Sequence, residues 1–380
     1  MKRFLLMLVC AVTMSSAAVA QEVVFEQEYT RNLTTPSDVI TIPLKDGGMF
    51  LAYCKSPKVS PKPSQVLVAF DKEKKKLFEF ATGDVVEFKN KKLNFLYNEG
   101  TQKIYGVYTY QKKGVSYADV MMLNMAGSYT AKLAIPTAMH VVHCFLYDNN
   151  LVLLGLHNEN KPTGGNSKVP SGEFEATIVK GDVSSYSTQK LSLPSFVAEK
   201  GVVKNRVVDI DGSIIYFVTE TKSEAITNKL SVSYEFTKYD FASHKAEASK
   251  TVSIEMEDNC ERTSQVVFGN RADLITCEEI WEDFPHMVYN KTEKAFFVMG
   301  TYGKGYPAET ASRKREGGFV VRINKSFGVE WKAMINATNE MLQMPEFSAA
   351  ASKNTVGMHN IKDKTYFTIG SEADGKNVGT

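Results

Sequence analysis

Apolar and polar positions along this chain alternate in short runs of β-branched and aromatic residues, each closed by a polar stretch. Six runs share one form: MFLAYCKSPK (49–58), IYGVYTYQKK (104–113), LVLLGLHNEN (151–160), IIYFVTETKS (214–223), AFFVMGTYGK (295–304) and TYFTIGSEAD (365–374). Val, Ile, Tyr and Phe suit the pleated, half-buried surface of a sheet, so each run predicts a strand that ends in a loop. A second apolar run and a turn precede each one: VITIPLKDGG, LNFLYNEGTQK, VVHCFLYDNN, VVDIDGS, HMVYNKTEK and VGMHNIKDK, in that order. Asp, Asn and Gly tolerate the positive φ of tight turns, so every unit opens as a β-hairpin.

Five of the six units continue with another strand pair around a polar turn, as in QVLVAFDKEKKKLFEF, ADVMMLNMAGSYTAKLAI and GFVVRINKSFGVEWKAMI. The unit is therefore four strands, recurring about every 50–80 residues. Consecutive four-stranded antiparallel units predict an all-β chain folded as a β-propeller of about six blades. QVVFGNRADLITCEEI (265–280) reads as a further strand, turn and strand, and predicts either a seventh blade or a completion of the fourth or fifth. A multi-sheet β-sandwich is the alternative that shares this strand spacing. The sixth unit has no continuation before Thr380, while EVVFEQEYTR (22–31) is a strand candidate with no partner of its own. Ring closure removes exposed sheet edges, so 22–31 is expected to join the last blade. Only NATNEMLQMPEF (336–347), stopped by Pro345, reads as a short helix.

Three loop-like stretches, CKSPKVSPKPS (54–64), HNENKPTGGNSKVPSG (157–172) and GTYGKGYPAETASRKREGG (300–318), fall between the second and third strands of their units. Loops at equivalent positions of a repeat emerge on one face, which is often the face that binds.

The N-terminus adds a location. Lys2 and Arg3 precede an apolar stretch from Phe4 to Met14, and Ala18-Val19-Ala20 supplies the small residues that a signal peptidase reads. The stretch falls short of the roughly 20 residues a transmembrane helix needs. Residues 1–20 are expected to be a cleaved signal peptide, and 21–380 a single propeller domain in the periplasm or outside the cell. Hydrophobic residues make up 43% of the chain and charged residues 23%, an ordinary globular balance. Losing Lys2 and Arg3 from the 45 basic residues leaves 43 against 43 acidic ones, so nothing favours nucleic acid or an anionic surface as partner. No later apolar stretch is long enough for a transmembrane helix.

Candidate chemistry is sparse. Cys54, Cys144, Cys260 and Cys277 remain after cleavage, and Cys260 with Cys277 is the pair placed for a disulfide across adjacent strands. His140 and His143, three apart on a predicted strand, are expected on opposite faces and so not on one metal ion. CEEIWEDF (277–284) gathers Glu278, Glu279, Glu282 and Asp283 around Trp281. Paired carboxylates serve as acid and base in glycoside hydrolysis, and an aromatic ring can stack on a sugar, so these five are the candidate site. A solvated acidic turn around a half-buried tryptophan accounts for the same residues. G-x-S-x-G, a phosphate-binding G-x-x-x-x-G-K-[ST] and an EF-hand loop are all missing from the chain, and no cofactor is implied. The expectation is a binding or scaffold propeller for a protein or carbohydrate ligand. The alternative is a propeller glycoside hydrolase or lyase drawing carboxylates from several blades.

Overall fold

The computed structural model describes residues 40–54, 65–81, 94–112, 115–137, 139–160, 168–193, 206–226, 229–256, 260–262, 265–268, 287–304, 314–337, 353–361, 364–373 and 376–379. Residues 1–20 and segment 22–31 lie outside them, as do 55–64, 161–167 and 305–313 of the three loop-like stretches and all but the start of the 336–347 helix candidate.

The described residues form six sheets, numbered here as blades in chain order. The first holds β1 (Ile40–Pro43), β2 (Met49–Cys54), β3 (Gln65–Phe70) and β4 (Lys76–Ala81). The second holds β5 (Asn94–Asn98), β6 (Lys103–Lys112), β7 (Val115–Leu123) and β8 (Tyr129–Thr137). The third holds β9 (Met139–Tyr147), β10 (Asn150–Asn160), β11 (Lys168–Val179) and β12 (Tyr186–Lys190). In the fourth, β13 (Arg206–Asp211), β14 (Ile214–Ile226) and β15 (Lys229–Asp240) are followed by a fourth lane shared between β16 (Lys245–Ala246) and β17 (Lys250–Met256).

The last two blades depart from simple chain order. β18 (Cys260–Arg262) and β20 (Met287–Asn290) share the first lane of the fifth blade, beside β21 (Ala295–Lys304), β22 (Lys314–Asn324) and β23 (Val329–Asn336). β19 (Gln265–Phe268) belongs to the sixth blade, with β24 (Lys353–Ile361), β25 (Lys364–Ala373) and β26 (Lys376–Gly379). Two expectations are corrected here. The strand at the start of 265–280 adds no seventh blade and completes neither the fourth nor the fifth; it pairs parallel to β24, the one parallel ladder among the described residues. The sixth unit does continue, because β26 pairs antiparallel with β25 from Gly370 to Ala373.

The apolar alternation works as the pattern requires, with a twist: both faces of each blade are apolar, because each blade is covered on both sides. Phe50, Leu67 and Phe78 of the first blade pack on Phe95, Ile104 and Leu123 of the second. Tyr105 and Val120 of the second meet Val141 and Leu153 of the third. Phe145 and Phe174 of the third meet Phe217 and Phe241 of the fourth. Phe236 of the fourth meets Phe296 and Phe319 of the fifth, and Phe297 of the fifth meets Met358 and Phe367 of the sixth. Five interfaces in unbroken chain order, with β5 beside β9, β9 beside β13 and β13 beside β20, make the chain a β-propeller rather than a multi-sheet β-sandwich.

The third-to-fourth-strand turns repeat one chemistry. Asp71, Asn124 and Asn324 each accept two backbone N–H groups on the side-chain Oδ1, two and four residues on. The residue three further on takes a left-handed conformation, φ 65° at Lys74, 72° at Gly127 and 62° at Phe327. A single extra residue then enters the fourth strand before pairing resumes. The side chain thus replaces ladder bonds that the turn cannot make.

Candidate functional site

Every first strand runs toward the same end of the ring, where a short turn returns the chain into the second strand. The long links join the second and third strands at the opposite end, as the terminal pairs Cys54–Gln65, Asn160–Lys168 and Lys304–Lys314 require. The sequence placed those links on one face, and the strand ends that flank them agree.

Polar residues buried on the first strands come from four blades: Asn94 and Asn98, His143, Asp209 and Asn290. Most of those nearest the turns bond to the neighbouring blade. Lys45 of the first blade pairs with Glu99 of the second. Asn98 Nδ2 donates to Asn149 Oδ1 of the third blade at 3.4 Å, and Tyr105 Oη donates to the Gly181 carbonyl at 2.8 Å.

Between the fourth and fifth blades a phenol and an ammonium each engage a carboxylate. Tyr289 Oη donates to Asp211 Oδ2 at 2.9 Å, and Lys291 Nζ lies 3.5 Å from Asp209 Oδ1. Asp209 is 1% exposed and also accepts the Ile210 N–H at 2.7 Å. A bulge between Val207 and Asp209 sets the register of this strand end. The Tyr216 and Tyr289 rings lie 4.8 Å apart. Burial above all, then bonds to Tyr216 and Asp211, hold the Tyr289 phenol far above its ordinary range. Burial also raises Tyr216, against a smaller opposing effect of its bond to Tyr289. Both phenols are therefore kept neutral, with Tyr289 donating to Asp211.

Between the fifth and sixth blades, Asn290 Nδ2 donates to Thr365 Oγ1 at 3.3 Å, and that hydroxyl donates to Glu293 Oε1 at 2.7 Å. Arg322 holds the other Glu293 oxygen at 3.2 Å and pairs with Glu330 as well. The turn end is thus a series of latches between successive blades, with carboxylates matched to Lys, Arg or phenol partners.

A second buried carboxylate sits away from this rim. Asp119 on β7 accepts from Tyr108 Oη at 2.6 Å and pairs with Lys132 at 3.1 Å, both through Oδ2. Its Oδ1 has no hydrogen-bond partner. Tyr108, Tyr110 and Tyr117 stack beside it, with ring centroids 5.6 and 5.2 Å apart.

The candidates read from sequence fare differently. Glu278, Glu279, Trp281, Glu282 and Asp283 lie outside the described residues, as does Cys277. Cys260 lies on β18, so the Cys260–Cys277 disulfide is not described either. The argument from strand alternation for His140 and His143 does not hold. A bulge on β9 pairs His143 with Leu154 and His140 with Leu156, so register puts both positions on one face. Among the described residues, no group of three or more His, Cys, Asp or Glu is placed to hold a metal ion.

No family model matches the sequence, and no curated protein matches it. Solved structures with a similar strand arrangement include the β-propeller domain of the Trilobed protease from Pyrococcus furiosus, at 9% identity over 90% of this chain and 84% of that one, with a TM-score of 0.36. A point variant of Synechocystis apocarotenoid oxygenase is similar at 10% identity, TM-score 0.38, over 76% of this chain. A cobalt-substituted form of the same oxygenase matches at 9% and 0.38. This chain spans 58% of the oxygenase's length. At such identities and scores these likenesses carry no argument about chemistry.

Proposed function

We propose that the chain is an exported β-propeller that binds a protein or carbohydrate ligand at the end carrying its long second-to-third-strand links. One observation carries the reading: the carboxylates nearest the ring's turn end are engaged by the adjacent blade, as in Asp209 with Lys291 and Asp211 with Tyr289. A carboxylate so neutralised holds blades together, whereas an acid–base pair needs its oxygens turned to a substrate. The free end of the ring, with its long Pro- and Gly-rich links, is then the recognition face. Residues 1–20 carry the charge and apolar order of a cleaved leader, which supports export to the periplasm or beyond.

The test takes residues 21–380 and presents an array of glycans and peptides together with chromogenic glycoside and uronate-polymer substrates. Binding without turnover is expected, and replacing residues 161–167 by a Gly-Ser link should weaken a bound ligand at least tenfold. Asp209→Asn and Asp211→Asn should lower thermal stability and leave binding at the far end intact. Turnover of a carbohydrate that either substitution abolishes without changing stability would establish the hydrolase or lyase alternative. N-terminal sequencing of the exported form should begin at Gln21.

A further inference from the structure

Asp119 stands apart from the latches. It is 2% exposed, and among the described residues it is the one buried carboxylate with an oxygen, Oδ1, that meets no donor. A buried acceptor left unmet costs stability, so it marks a place where an incoming donor gains. Aromatic rings surround it on one side. The β6–β7 register runs without a bulge and sets Tyr108 opposite Asp119 and Tyr110 opposite Tyr117. All four side chains therefore share the face that carries Met121 and packs on the first blade.

The three rings form a column, with centroids 5.6 and 5.2 Å apart and planes 22° and 13° from parallel. The column starts at buried Tyr108 and ends at half-buried Tyr110 and Tyr117, near the strand ends Lys112 and Val115. Those ends meet the second-to-third-strand link, so the column leads from the carboxylate toward the end assigned to recognition. On the outer side, exposed Ala134 of β8 pairs with Asp119 and presents only a methyl. Lys132 of the same strand reaches Asp119 Oδ2 at 3.1 Å, and its Nζ lies 5.8 Å from the Tyr108 ring centre.

We propose that this cluster is a subsite for a neutral sugar, which stacks on the outer tyrosines and donates a hydroxyl to Asp119 Oδ1. The inference rests on the reading that the link end binds a ligand, and it chooses carbohydrate over protein. Charge makes the choice. Asp119 and Lys132 sum to zero, so a cationic ligand is opposed by the ammonium and an anionic one by the carboxylate. Neighbouring hydroxyls suit both groups, one donating to Oδ1 and the other accepting from Lys132 Nζ. The C–H face of a pyranose then covers the apolar ring surface. Oδ1 is buried, so a side chain must give way to admit a hydroxyl; Lys132, on a flexible stem and 32% exposed, is the one suited to swing.

The test titrates residues 21–380 by calorimetry with neutral hexasaccharides of glucose, mannose, galactose and xylose, and with galacturonan and chitosan hexamers as charged controls. At least one neutral hexasaccharide should bind, at least tenfold more tightly than either charged hexamer. Tyr117→Ala, Lys132→Met and Asp119→Asn should each weaken it at least tenfold. If Asp119→Asn does not fold, the other two variants, both at partly exposed positions, decide. Loss in these variants with no effect of replacing 161–167 supports the subsite and puts the failure in the wider reading of the long links. A sugar bound equally by the folded variants but lost on replacing 161–167 overturns the subsite and leaves that reading standing. Equal binding of the charged hexamers overturns it too, as does no binding of any neutral one, with Oδ1 then serving a buried water alone.

Discussion

Replacing Tyr289 by Phe isolates the latch between the fourth and fifth blades. The ring keeps its place against Tyr216 and Phe296, 4.8 Å from each, so packing is conserved and only the hydroxyl is lost. That hydroxyl donates to Asp211 Oδ2 at 2.9 Å. A hydrogen bond to a charged group contributes about 1.5–3 kcal/mol. Asp211 keeps partial access to water, which places the expected loss near the lower end, about 1.5 kcal/mol. Urea unfolding followed by circular dichroism reads it, and a double-mutant cycle with Asp211→Asn should return a coupling of about 1–2 kcal/mol.

The pH dependence sharpens the test. Burial and bonding raise the folded-state phenol above the 10.0 of a free tyrosine. The neutral phenol is thus the form that the fold favours. Its contribution is complete below pH 10 and is lost as pH rises through the folded value. The stability difference between the parent and Tyr289→Phe should stay flat from neutral pH to about 9.5 and shrink above 10. A loss below 0.5 kcal/mol with no coupling to Asp211 would refute the latch.

Other consequences follow from the same interfaces. Phe296→Ala empties a site that is fully buried among Tyr216, Phe236, Tyr289 and Phe327, and should cost about 3–5 kcal/mol in the same urea assay. Gly127→Ala should cost about 2–4 kcal/mol, because the position has φ 72° and a methyl there would lie 2.5 Å from the Phe78 ring of the first blade. Tyr53, raised to about 12 chiefly by burial and then by Glu79, should keep its phenol neutral after free tyrosine ionises, so Tyr53→Phe should flatten the fall in stability between pH 10 and 12 seen by alkaline titration.

The strand grammar was readable because aromatic and β-branched runs, polar turns and their spacing all agreed, and four-lane blades follow from that agreement alone. Where one lane is shared by two short pieces, as β18 and β20 share the first lane of the fifth blade, linear order no longer reports position. β19 illustrates the same limit, since a strand of four residues carries no mark of the sheet it joins. The latches left a fainter trace. Tyr97-Asn98, Tyr147-Asp148 and Tyr289-Asn290 each put an aromatic and an Asx residue just before the first turn, a repeated pair that marks the rim. Which of these residues would bond across blades depended on bulges such as those at Val208 and on β9, and a bulge reverses every inference drawn from alternation.

The central claim is that the turn end latches the blades and the opposite end is left to bind. A crystal structure of residues 21–380, grown with any ligand the array returns, tests it most directly. The account predicts Asp209 against Lys291, Asp211 against Tyr289 and Asn290 against Thr365, with the ligand seated among the long links. Ligand at the turn end, with Asp209, Asp211 and Glu293 released from their partners and turned toward it, would contradict the account.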